Sequence, residues 1–341
     1  MTEPALPQLR AAIVGRAEVE MRLRAAIDEG TLSNGWLIAG PKGAGKASLA
    51  YRIARALLDP AALSSATDLS MPSDARTFRL VAGGAHPDLF LAARRYDEKL
   101  QRYETEITVE TIRNLSAFLN RTASMGGWRV AIIDIADDMN RNAANALLKA
   151  LEEPPAKTAL LLLSVQPGRL LATIRSRCRR IDLRPVDAET IAALLEDEAG
   201  LSMQQAKELA KAAQGRPGYA LSLAAGEGGE AVSAVSAFLN AAGGNGDVSS
   251  VVGRLTGKAA AERWEIFLPL LLESVGEAAR RLARGETVGA PFGGANAPAL
   301  VDAHRELAAL AGRGDALNLD RAQLILALGR TLHNALRARA A

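Results

Sequence analysis

The stretch GPKGAGKASLA, residues 40–50, decides how this chain is read. A short apolar run, Trp36 to Ala39, precedes it, and KASLAYRIARALL follows with apolar residues at helical spacing. Strand, glycine loop and helix in that order are the setting in which G-x-x-x-x-G-K-[ST] binds phosphate. Glycine lets backbone N–H groups bend round the anion, the helix N-terminus favours negative charge, and the lysine neutralises the terminal phosphates. Gly40, Gly43, Gly45 and Lys46 fit the pattern. The next position should offer a hydroxyl to magnesium, but it is Ala47. Ser48 comes one place late and about 100° further round the helix, so it points elsewhere. The sequence therefore predicts a nucleotide site that keeps the loop's shape while lacking part of its chemistry.

Two further apolar runs, Val130 to Ile133 and Ala159 to Ser164, alternate with helical segments, which predicts an α/β fold with a parallel sheet covered on both faces. The first of them ends on Asp134, where a magnesium-coordinating carboxylate is expected. The following residue is Ile135, where ATPases of this architecture carry a glutamate that polarises water. Asp137 and Asp138 read as solvated turn carboxylates. The intervening helix, NRNAANALLKALEEPP, has Asn140 or Asn142 as its cap and stops before Pro154 and Pro155. ITVETIRNLSAFL predicts a helix with Ile112, Leu115, Phe118 and Leu119 turned inward, and Asp97 to Glu106 a solvated connection.

The 341 residues carry 49% hydrophobic and 23% charged side chains but only 4% aromatics, a helical, globular composition with room for two or three domains. A formal charge of +3 is too small to demand nucleic acid, and few aromatics are available as stacking platforms for single strands. Cys178 is the one cysteine, so neither a disulfide framework nor a cysteine zinc site is expected. His86 in HPDLF has no ligand partners nearby in sequence and reads as structural. The opening MTEPALPQLR lacks a secretory pattern, and no run approaches the ~20 apolar residues of a membrane span. A cytoplasmic, reducing location is expected.

After Leu183 strand-like runs cease and helices take over, and glycine clusters follow near 226–229 and 243–246. These shifts predict an α/β core over 1–184, a small helical domain over 185–242 and a second helical domain over 243–341. Residues 284–299, RGETVGAPFGGANAPA, read as a mobile loop inside the last of these.

At QPGRLLATIRSRCRRIDL, Arg175, Arg177, Arg179 and Arg180 crowd around Ser176 and Cys178, where a helix gives way to a short strand. The phosphate loop, NALLKALEEPP and IRSRC, in that order, resemble the clamp-loader branch of the AAA+ proteins over the first ~240 residues. The resemblance implies a P-loop core, a helical lid, and a C-terminal oligomerising collar. It also implies that Arg177 is an arginine finger for ATP bound by a neighbouring subunit. The family's hydrolysing subunits, gamma or tau, carry a hydroxyl at the Ala47 position, an Asp-Glu pair where this chain has Asp134 and Ile135, and a sensor arginine at Gly218. All three are missing here while Arg177 is kept.

The expected function is thus a DNA polymerase III clamp-loader subunit that serves a neighbour's ATP site and holds weak or no nucleotide at Gly40, Gly43, Gly45, Lys46 and Asp134. Its implied partners are gamma or tau and delta, with the sliding clamp and primer-template DNA met through the complex. Some clamp-loader subunits insert a four-cysteine zinc module, and no zinc is expected here. The alternative is a self-sufficient AAA+ ATPase, which Lys46 and Asp134 favour. A chiefly DNA-binding module is the third reading, against which the small net charge argues.

Overall fold

The structure, a computed structural model, describes residues 6–65, 67–97, 102–256, 260–317 and 319–338. Its first compact unit comprises Pro4–Leu194 and Ala213–Ala220. In chain order the elements here are α1 (Ala17–Asp28), β1 (Gly35–Ala39), α2 (Lys46–Leu58), α3 (Arg76–Ala82), β2 (Leu89–Ala92), β3 (Tyr96–Asp97) and β4 (Arg102–Tyr103). There follow α4 (Val109–Leu119), β5 (Arg129–Ile133), α5 (Arg141–Glu152), β6 (Thr158–Ser164), α6 (Ala172–Arg175), β7 (Arg179–Asp182) and the start of α7 (Ala188–Ala199).

Five strands form a parallel sheet in the order β2-β5-β6-β1-β7. The three inner strands are buried along their whole length, as strands covered on both faces must be. Their side chains alternate between two cores. Trp36, Ile38, Val130, Ile132, Leu161 and Leu163 pack with α1 and α2, whereas Leu37, Ala131, Ile133, Leu160 and Leu162 pack with α4 and α5. The expected strands are therefore present, and the edge strand β2 is one that sequence reading left out.

Local chemistry fixes the helix starts. The Thr108 hydroxyl accepts from the Thr111 N–H to open α4, and Asn140, not Asn142, opens α5 by accepting from the Ala143 N–H at 2.9 Å. Ile112, Leu115 and Leu119 are buried as expected, and Phe118 packs partly buried beside them. The connection expected over Asp97 to Glu106 differs. Its central residues, 98–101, lie outside the described ones, but β3 and β4 on either side pair antiparallel, with Tyr96 and Tyr103 in edge-to-face contact at 5.1 Å.

The second unit, Leu195–Ala212 and Leu221–Ala341, is helical. It takes in the end of α7, most of α8 (Met203–Ala213), the second half of α9 (Pro217–Ala224), then α10 (Gly228–Ala242), α11 (Ser249–Leu255), α12 (Ala260–Ala283), α13 (Ala297–Leu317) and α14 (Arg321–Arg337). Phe238 from α10 and Phe267 from α12 meet edge-to-face at 5.6 Å, and Leu324, Ile325, Leu328 and Leu332 line the inner face of α14. Among the described residues no helix is long and apolar enough to cross a membrane.

Candidate functional site

The glycine loop leaves β1 and enters α2, as the sequence requires. Gly43 and Gly45 take left-handed φ values of +81° and +93°, the conformation glycine reaches without steric cost. Lys46, the first residue of α2, is buried, and its ammonium donates to the carbonyls of Gly40 at 2.8 Å and Pro41 at 2.9 Å. Burial holds its pKa below the ordinary lysine value, against the opposing pull of the Asp134 and Asp137 charges. Ala47 turns its methyl to the core below the loop, and Ser48 is buried. No hydroxyl therefore stands at the position after the lysine.

Asp134 follows β5, with its carboxyl pushed up by burial and held back by the Lys46 charge. Ile135 next to it has a φ of +58°, a left-handed conformation that is strained for a β-branched residue and costs about 1–3 kcal/mol. The expectation for Asp137 and Asp138 needs correcting, because neither is a merely solvated turn carboxylate. Asp137 accepts from the Ser164 hydroxyl at 2.8 Å and from the Val165 and Gln166 N–H groups at 2.7 and 3.1 Å, bracing the turn after β6. Asp138 pairs with Arg94 at 3.2 Å. His86 is buried, and its Nδ1 accepts from the Asp88 N–H at 3.2 Å, in keeping with a structural role.

Arg177 lies in the turn between α6 and β7 and is exposed. Its guanidinium pairs with Glu152 at 2.7 Å and donates to the Thr173 carbonyl at 3.0 Å, so the two most specific sequence motifs, NALLKALEEPP and IRSRC, meet through one ion pair. With side chains 36% and 47% exposed, that pair is worth only about 0–1 kcal/mol, enough to orient the arginine but not to sequester it. The neighbouring arginines do other things. Arg175 reaches back to the Pro167 and Gly168 carbonyls, Arg179 lies over Trp36 at 5.3 Å, and Arg180 pairs with Asp182 at 2.7 Å. Cys178 is buried and its thiol is pushed up to about 11, which leaves it un-ionised and inert.

Two residues that sequence reading missed shape the loop from outside. Arg16 is buried, with its guanidinium donating to the Ala44 carbonyl of the loop at 3.0 Å and the Arg184 carbonyl at 2.7 Å. The start of α9 presses on the same loop. The Gly218 N–H donates to the Gly43 carbonyl at 2.8 Å, and a Cβ placed on Gly43 would stand 2.6 Å from the Tyr219 Cβ. A Cβ on Gly218 would itself stand 3.1 Å from the Gly43 oxygen, so a side chain at that position would need the loop to give by a few tenths of an ångström. Neither contact has a local signal, since Arg16 and Arg184 are 168 residues apart. Gly43→Ala is expected to destabilise the protein by about 1–3 kcal/mol through its left-handed backbone alone. The crowding against Tyr219 adds to that. A urea midpoint unchanged from wild type would contradict this packing.

Comparison with known proteins agrees with the motif order. The family profile described as "DNA polymerase III, delta subunit" matches residues 15–187. The chain is 43% identical over 148 residues to DNA polymerase III subunit delta' of Pseudomonas aeruginosa, an alignment that spans 43% of this chain and 42% of that protein, less than half of either. It is 30% identical to the Escherichia coli subunit delta' over 74% of this chain and 73% of the relative. It is also 31% identical to the E. coli subunit tau, over 68% of this chain and 36% of that longer protein.

Proposed function

The chain belongs to the DNA polymerase III delta-subunit family, a component of the clamp loader, and from that premise we propose that it acts as a delta-prime subunit. In this reading it assembles with gamma or tau and delta and helps place the sliding clamp on primer-template DNA. Its own loop contributes no ATP turnover, and Arg177 completes the ATP site of the neighbouring subunit. Its surroundings are those of the cytoplasmic replication machinery.

The observation that carries the proposal is the pairing of a retained arginine with a loop that lacks two groups of its own chemistry. Ala47 offers magnesium no ligand, and Ile135 gives no base to a water. Arg177, by contrast, stands exposed on a short turn with a weak partner. An always-charged planar guanidinium in that position suits the spreading charge of a phosphoryl group in transfer.

Lys46→Ala supplies the test. In a reconstituted loader, DNA- and clamp-stimulated ATP turnover is expected to stay within about twofold of wild type, because Lys46 stabilises no transition state in this reading. Turnover that collapses with Lys46→Ala while the complex stays assembled would sink it and favour a self-sufficient ATPase.

A further inference from the structure

Beyond Arg177 and the loop, the first unit holds a groove of about 320 Å³ between α1 and the edge strand β7, and its lining includes neither Arg177 nor Lys46. Among the described residues β7 is bonded on one side only, to β1. The Leu183 N–H donates to the Ala39 carbonyl on the β1 side. By the alternation of a strand, the backbone groups of Arg179 and Ile181 therefore also face β1, while those of Arg180 and Asp182 face outward. The Arg184 carbonyl, next in the outward series, is taken by Arg16, which closes that end of the edge. What remains is a short row of backbone donors and acceptors able to receive another strand.

The walls specify its chemistry. The floor is apolar, built from Val19, Leu23, Ala26, Trp36 and Ile181. The lining carries five arginines, Arg16, Arg22, Arg179, Arg180 and Arg184, against two acids, Glu18 and Asp182. Asp182 is already neutralised by Arg180 at 2.7 Å, while Arg22 and Arg184 are exposed and have no carboxylate partner among the described residues. Cations that only blunt an edge against self-pairing would need no apolar trough beside it. An open edge, a greasy floor and unmatched guanidiniums together call for an extended chain whose side chains alternate between apolar and acidic.

We propose that this groove docks an acidic, extended peptide segment of a partner protein, added to β7 as a further strand. Backbone pairing with Arg180 and Asp182 gives the segment its register, its apolar side chains enter the trough, and its carboxylates meet Arg22 and Arg184. A nucleic-acid strand would match the charge but offers no backbone to a strand edge.

The test uses the full chain and a fluorescein-labelled decapeptide alternating glutamate and valine, followed by anisotropy, with the lysine-valine peptide and a short single-stranded DNA alongside. The acidic peptide is expected to bind selectively. Arg22→Glu with Arg184→Glu is expected to weaken it by at least about tenfold, since two charge-assisted contacts become repulsions. The decisive pair is at Asp182. Asp182→Ala removes a negative charge and is expected to tighten binding. Asp182→Pro removes the same charge but also an outward N–H, which an edge strand tolerates, and is expected to weaken binding. Unchanged circular dichroism and melting temperature qualify each variant. No binding of the acidic peptide by wild type, equal binding of the lysine peptide, preference for DNA, or equal behaviour of the two Asp182 variants would each overturn the proposal.

Discussion

Arg177→Ala is expected to lower ATP turnover at the adjoining subunit's site by about 10³-fold, the low end of what an arginine supplied in trans contributes to phosphoryl transfer. Assembly should survive, because the pair the arginine makes within its own chain is exposed and worth little. Arg177→Lys should rescue poorly, since an ammonium is a point charge and cannot reproduce the planar fork. Glu152→Gln separates orientation from chemistry. It removes the charge that holds the arginine in the free chain, at 2.7 Å, and leaves the guanidinium itself in place. Turnover with Glu152→Gln should therefore stay far above that with Arg177→Ala. Single-turnover measurements on the reconstituted loader distinguish the steps: loss in the chemical step at unchanged nucleotide affinity supports the finger, whereas full turnover with Arg177→Ala would remove it from the mechanism.

The parts legible in the sequence were those set by neighbours along the chain. Trp36 to Ala39, Val130 to Ile133 and Ala159 to Ser164 read as buried strands because they are uninterrupted apolar runs, and they occupy the centre of the sheet. β2 escaped because Leu89–Ala92 is short, lies at the sheet's edge and is only partly buried, so no strong pattern marks it. Asp137 was misread for a different reason. Its partners Ser164, Val165 and Gln166 lie at least 27 residues away, and nothing local distinguishes a carboxylate that braces a distant turn from one in water. The candidate site divides in the same way. Loop, lysine and SRC arginine are contiguous motifs and could be named, whereas the Arg16 and Tyr219 contacts with the loop arise only when the chain has folded.

Glu20→Ala and Arg52→Ala are each expected to destabilise the protein by about 3–5 kcal/mol, because each strands a buried charge. Arg52 is 1% exposed and Glu20 5% exposed. The Arg52 guanidinium pairs with Glu20 and also donates to the Ala11 carbonyl and to the Ser70 hydroxyl. Arg55 lies fully buried on the same helix, and its pKa is lowered to about 10 by burial and the Arg52 charge, so loss of the Glu20 carboxylate would leave two neighbouring guanidiniums with the more exposed Asp68 as the remaining carboxylate felt by Arg52. Removing both partners is a different matter. Glu20→Leu with Arg52→Met should cost less than the sum of the single changes by about 2 kcal/mol or more, since charges taken out of water recover little net stability from each other. The pH dependence has a definite sign. Burial, outweighing Arg52, raises the Glu20 pKa above 4.5, so the folded protein favours the protonated carboxyl more than the unfolded chain does. The stabilisation from this group is therefore full below 4.5 and lost as the pH rises through the raised value, so the Glu20→Gln variant should gain on wild type as the pH rises through that window. Urea denaturation of the singles and the double, repeated across that range, decides the matter: additive losses with no pH trend would mean that Glu20 and Arg52 act independently and that their ion pair contributes no coupling.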